Sequence, residues 1–302
     1  MVEKKDISAL ISLLDDPDEE VNKHVEEQLI SYGEEVVPVL EDHYIHCNET
    51  IRKRLDSLIE KLQIRNLSYN LQQWAEGGAK DLLEGIYLIN KIGYPHLKKS
   101  DLTNTLDKVR LDSWLEMHSA TSPYDQVKVL NHIIFNIYEF QSPAPMKIGI
   151  DHYYLNRVLE EKTGNPLSIG ILYSLIAQRL NIPIFGVNLP HHFVLAYKEL
   201  ANKPHMDKPF NEFNLMDPLS EGEVLFYINP YNKGTIFSKW NIDRFLKQVN
   251  IAQRRDYYHT CSHLDTILRV LRNMEIAYDK KQDHSKVRYI SSLIGTLQPY
   301  AE

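Results

Sequence analysis

Cysteine is nearly absent from this chain: two among 302 residues, Cys47 and Cys261, far apart in sequence. Two distant thiols exclude a disulfide framework, and no CxxC pair offers a zinc or thiol-exchange motif. Positive charge is also in deficit. Thirty-four Lys and Arg against 41 Asp and Glu leave a net charge of −7. Such a balance argues against a chain built to grip nucleic acid or anionic lipid. Basic pairs such as Lys98-Lys99 and Lys280-Lys281 read as solvated helix ends. Long apolar runs are missing too. The longest, Leu167 to Ala177, holds two serines and a glycine and suits a buried helix, not a membrane span. The opening MVEKKDIS has no apolar signal stretch. With both thiols expected to be reduced, this predicts a cytoplasmic location. There is no Gly-rich phosphate loop.

What is present is ordinary globular composition, 43% hydrophobic and 25% charged, enough for more than one domain. The first 65 or so residues predict helical hairpins. Ile7, Leu10, Ile11 and Leu14 share one helical face, and Asp15-Asp16-Pro17-Asp18 breaks it. Val21, Val25, Leu29 and Ile30 form the next stripe, ended by Gly33. Val36 to His46 and Ile51 to Leu62 read as a third and a fourth helix. Val21 and Ile51 open equivalent stripes 30 residues apart, and the turn LLDDPDEEV resembles that of HEAT-type repeats. An ordinary helical bundle is the other reading.

Residues 66–150 predict a helical lead-in. Its buried stripes are Leu82, Leu83, Ile86, Leu88 and Ile89, then Leu102, Leu106, Val109 and Leu111, then Val127, Leu130, Ile133, Ile134 and Ile137. The pattern changes in residues 151–237. A turn at Thr163-Gly164-Asn165-Pro166 opens an apolar helix to Leu180. Ile182 to Val187, His192 to Tyr197 and Val224 to Ile228 are short β-branched and aromatic runs that predict three strands. The polar stretch Glu199 to Glu223 predicts a mobile surface insertion. Residues 238–302 return to helix. One stripe holds Leu264, Ile267, Leu268, Leu271, Ile276 and Tyr278, and another Ile290, Leu293, Ile294 and Leu297.

The stretch YLNRVLEEKTGNPLSIGILYSLIAQRLNIPIFGVNLPHHFVLAY, residues 154–197, resembles the bacterial transglutaminase-like superfamily, in the branch whose core carries a tetratricopeptide-like tail. EGIYLINKIGYP before it and ILRVLRNMEIAYDKKQD after it resemble the same branch, so the likeness covers about residues 70–302. The resemblance implies a papain-like core, with a nucleophilic Cys at a helix start, a His on the second strand and an Asp or Asn ending the third. Matched position by position, the Cys falls on Pro166, the small helix residue on Gly170, the His on His192 and the third member on Asn229. Asp217, in LMDPLS, competes for that last place.

Pro166 is the departure that matters. Covalent acyl transfer needs an activated nucleophile beside a base, and proline has no proton to give. Asn165-Pro166 reads equally as a plain helix start, an N-cap followed by proline at the first helical position. Ser168 is the nearest substitute nucleophile, but it points about 200° around the helix from position 166. His259 and His263 at i,i+4 could share a metal, yet no third ligand accompanies them, and His43, His46 and Cys47 form no better set.

The expected molecule is therefore α+β and predominantly helical, with a helix packed on a small antiparallel sheet between helical-repeat flanks. Its expected role is a catalytically degenerate module for a peptide or protein ligand, using no cofactor and no metal and engaging neither nucleic acid nor membrane. The rival is a hydrolase or acyltransferase using His192 with Ser168 or an activated water. A third reading is a structural core whose cleft is filled by residues 199–223.

Overall fold

The computed structural model describes residues 4–16, 18–44, 47–118, 120, 122–200 and 216–301. The chain forms two compact units, Met1–Gln72 and Gln73–Glu302.

The first unit is helical. It contains α1 (Lys4–Ser12), α2 (Glu19–Ser31), α3 (Val37–Tyr44) and most of α4 (Glu49–Glu76). Its core gathers the expected stripes: Ile7, Ile11, Leu14, Val25, Leu29, Leu40, Leu55, Leu58 and Leu62 are all buried. Asp18 caps α2 by accepting the Glu20 N–H at 2.9 Å. Glu19 and Glu20 then face the positive end of the helix dipole. The predicted fourth helix does not stop at Leu62. No Gly or Pro follows, and buried Leu67 and Leu71 continue the spacing, so α4 runs on until Gly77-Gly78, where Gly78 takes φ +85°.

The second unit opens with α5 (Leu82–Asn90), α6 (Lys99–Met117) and α7 (Pro123–Asn131). Two expected core residues here are exposed, Leu111 at 40% and Ile137 at 55%. On α6 the buried face is 102, 106, 109, 113, which leaves 111 on the far side. After α7, residues His132–Ile137 widen into a π-helical turn, closed by the Tyr138 N–H on the Ile133 carbonyl at 2.9 Å. The added residue in that turn rotates Ile137 out.

A short 3-10 turn (Ile150–Tyr153), α8 (Leu155–Glu161) and α9 (Pro166–Arg179) lead to the sheet. Its strands are β1 (Ile184–Leu189), β2 (His192–Leu200), β3 (Gly222–Asn229) and β4 (Thr235–Phe237), antiparallel in the order β1-β2-β3-β4. A helix on a small antiparallel sheet was expected; β4 was not. β1 starts two residues late because Asn181 is left-handed and Ile182 bonds back to the Ala177 carbonyl. Residues 201–215 of the predicted insertion lie outside the described residues.

α10 (Lys239–Gln248) covers one face of the sheet. Ile242 and Leu246 pack there on Val187, Leu189, Val194, Ala196 and Tyr227. α11 (His263–Lys280) and α12 (His284–Leu297) form the closing hairpin. Its stripe runs 264, 267, 268, 271, 274, 278, so Met274 is buried and Ile276 is 54% exposed, not in the core as expected.

The outer edge of β1 is occupied. The Ile184 carbonyl accepts the Ser174 hydroxyl at 2.7 Å, and the Gly186 carbonyl accepts the Cys261 N–H at 2.9 Å. Among the described residues, no helix is long and apolar enough to cross a membrane.

Candidate active site and its surroundings

The first turn of α9 is chemically full. Asn165 is its N-cap and accepts the N–H groups of Leu167 and Ser168, each at 2.9 Å. Pro166 has no N–H, and the Ile169 N–H already bonds the Asn165 carbonyl at 3.0 Å. The donors that a helix start offers to a developing negative charge are thus committed internally. Ser168 is buried, and its hydroxyl donates to the His152 carbonyl at 2.7 Å, with the Asn165 carbonyl at 3.0 Å. The His152 carbonyl also receives the Asn165 side-chain amide at 3.0 Å. The turn before the helix is pinned from the other side, where Gln141 exchanges backbone bonds with Lys162 and Gly164.

The end of the sheet nearest this helix start is the β1–β2 hairpin, because Ser174 and Gln178, late in α9, bond the opposite end at Ile184. Strand parity then decides which β2 residue faces α9. A Cβ on Gly170 would meet the Phe193 ring at 2.9 Å and Pro230 at 3.3 Å. A Cβ on Gly186 would meet the tip of the same ring at 2.5 Å. Phe193 therefore fills the space between α9 and the sheet, and the two glycines leave room for it.

His192, one residue earlier, projects to the other face, where its ring lies edge-on to Phe245 of α10 at 5.0 Å. Its ring therefore faces α10, not the start of α9. Partial burial, then the neighbouring positive charge of His191 and Arg269, hold its pKa below the ordinary histidine value.

Asn229 does end β3, as expected. Its side-chain oxygen, however, accepts the N–H groups of Tyr231 at 3.0 Å and Asn232 at 3.4 Å, capping the 3-10 turn that follows. Among the described residues no hydrogen bond joins it to His192. Asp217 is exposed and accepts the Leu219 N–H at 2.8 Å. The group that organises this turn is one the sequence did not single out. Buried Lys198 donates to the Pro218 carbonyl at 2.9 Å, to the Ser220 carbonyl and to the Thr260 hydroxyl at 3.5 Å. Burial lowers its pKa, and Asp217 partly offsets this. The signal for it was a lone Lys ending the apolar run of β2.

The remaining candidates are dispersed. His263 is buried with Nδ1 3.1 Å from the Ala79 carbonyl, and burial lowers its pKa. His43 contacts the Ser8 hydroxyl at 2.9 Å, and His46 lies outside the described residues. Among the described residues, no three His, Cys, Asp or Glu side chains gather closely enough to hold a metal ion. Burial pushes the Cys261 thiol up to about 12, so it is a poor nucleophile near neutrality.

Comparison with known proteins assigns the same region. The family description "Transglutaminase-like superfamily" matches residues 100–272. A UPF0162 protein of Xylella fastidiosa is 31% identical over 202 residues, covering 65% of this chain and 64% of that protein. A UPF0162 protein of Pasteurella multocida is 45% identical over 70 residues, 23% of this chain and 26% of the relative. Human F-box only protein 21 is 23% identical over 126 residues, 40% of this chain but 20% of its own length. The match thus spans under two thirds of each of these relatives. No solved structure matches the chain significantly.

Proposed function

The chain belongs to the transglutaminase-like superfamily, and within it we propose a member that works without a covalent step, as a module that binds a peptide or protein segment. The first turn of α9 carries this reading. Position 166 offers no attacking atom, the Ser168 hydroxyl is spent on the His152 carbonyl, and the Leu167 and Ser168 N–H groups are spent on Asn165. Acyl transfer needs both a nucleophile and donors for the tetrahedral oxygen. On this reading Pro166, His192 and Asn229 no longer work as one site, and Ser168 and Asp217 serve structural roles. The helices of the first unit are read as HEAT-like hairpins, and α11–α12 as a tetratricopeptide-like hairpin, adding scaffold surface. A net charge of −7 favours protein over nucleic-acid partners, and a cytoplasmic setting suits two free thiols.

The test is to incubate the full chain with peptides carrying amide, ester and thioester groups and follow both masses and binding. The expected result is saturable peptide binding with no hydrolysis and no acyl-protein adduct. Turnover above buffer that His192→Ala or Ser168→Ala abolishes, in folded protein, would instead establish the hydrolase or acyltransferase.

A further inference from the structure

A polar cleft of about 560 Å³ lies between α11 and the tip of the β1–β2 hairpin, lined by Asn188, His191, Asp265, Arg269, Arg272 and Asn273. Arg269 is its most constrained group. Its Nη1 donates to the Asn188 side-chain oxygen and to the Leu189 carbonyl, both at 3.1 Å and both neutral acceptors. Its guanidinium carbon lies 5.7 Å from the centre of the Phe193 ring. A guanidinium carries five N–H donors, and Arg269, half-buried, commits only part of them to these two acceptors. Among the described residues, no carboxylate comes within ion-pair distance of Arg269.

Arg272 sits one turn along α11, exposed, with Nη2 on the neutral Gln298 side chain at 2.7 Å. Asp265, one turn before Arg269, supplies the lining's one negative charge. Its Oδ2 accepts the Ser262 N–H at 3.2 Å and hydroxyl at 2.7 Å, which turns it toward the start of α11. Arg269 and Arg272 against Asp265 leave the cleft with one excess positive charge.

The hairpin tip carries His191 to the edge of the cleft. The two-residue hairpin turn is Pro190-His191, and His191 has φ +61°. The second place of such a turn favours Gly or Asn, and a bulky side chain there is strained by roughly 1–2 kcal/mol. Seven other non-Gly residues among those described share this left-handed geometry; what sets His191 apart is that it lines the cleft.

We infer that this cleft binds an anionic carboxylate or phosphate group of an organic ligand, clamped between Arg269 and Arg272, with Asn188, Asn273 and His191 meeting its polar remainder. Guanidinium groups match both anions with paired hydrogen bonds. The cleft leaves room beside the anion for the rest of a larger molecule. This stands apart from the reading of the α9 start and holds whether or not acyl chemistry occurs there.

The test titrates the full chain, at constant ionic strength, with inorganic phosphate, with an N-acetyl dipeptide bearing a free carboxylate, and with the same dipeptide amidated. Saturable binding of phosphate or of the free carboxylate is expected, and whichever binds names the source of the anion. The amide should not bind. Arg272→Gln, at an exposed position, should fold normally and weaken binding about tenfold, as loss of a charge-assisted hydrogen bond does. Arg269→Gln should weaken it at least as much. No saturation beyond the chloride control, equal binding of the amide, or unchanged affinity in folded Arg272→Gln would overturn the inference.

Discussion

The start of α9 and the tip of the β1–β2 hairpin lie at the same end of the sheet but differ in what they have left to offer. At α9, the Leu167 and Ser168 N–H groups and the Ser168 hydroxyl are each bonded within the protein. At the hairpin, Arg269 is bonded only to neutral acceptors and sits beside a cleft, next to a His held in a strained turn. The polar groups at the α9 start are the satisfied ones. Unspent bonding capacity has gathered a few residues away, on groups that a nucleophile-centred reading passes over.

The comparison can be broken most forcefully at Phe193, which belongs to both places. Its ring packs under Gly170 and lies 5.7 Å from the Arg269 guanidinium. Phe193→Ala should cost about 3–5 kcal/mol in urea unfolding, as for other large buried aromatics. The cleft should loosen with it. A cost near zero would mean the ring is not the shared support described here.

Asn165→Ala comes next. Loss of a helix N-cap costs about 0.5–2 kcal/mol, and this cap holds two N–H groups and the turn before the helix. A value at the upper end is expected. An unchanged melting temperature would show that the α9 start is less locked than its hydrogen bonds imply.

Much of the fold was legible from sequence because apolar spacing reports burial directly. The stripes on α1, α2 and α11 and the strands of the sheet were readable in that way. The site was less so, because a single step of strand parity exchanges His192 for Phe193. Two adjacent histidines before an apolar run do not say which residue faces the helix. The two glycines that meet Phe193, Gly170 and Gly186, were the available clue, since a small residue on each surface implies a large one between them. The π-helical turn that expels Ile137 left no signature in the spacing. Nothing in the sequence marks Lys198, because its partners, Pro218 and Thr260, are distant along the chain.

A pH series sharpens the contrast further. Burial lowers the pKa of His263 in the folded state, and His192 shifts the same way. The unfolded chain then binds more protons below the ordinary histidine value of about 6.5, so stability is full above it and falls as pH drops toward the folded values. The melting temperature should decline from pH 7 to 5, and His263→Gln should flatten the slope. A slope unaffected by that change would place the acid sensitivity elsewhere.

The smallest expected effect has the opposite sign. His191→Gly relieves the φ +61° turn and should raise stability by about 0.5–1 kcal/mol, less the greater freedom that Gly gives the unfolded chain. It should also weaken anion binding in the cleft. Such a trade of stability against binding is absent from the α9 start, where every substitution considered only destabilises.

Along the border of β1, the Ile184 and Gly186 carbonyls are held by Ser174 and the Cys261 backbone. A bare border of this kind recruits further strands from other chains, in ordered recognition or in aggregation. Here an arriving extended segment would first have to evict the protein's own groups. Polymerisation through this side of the sheet is therefore suppressed.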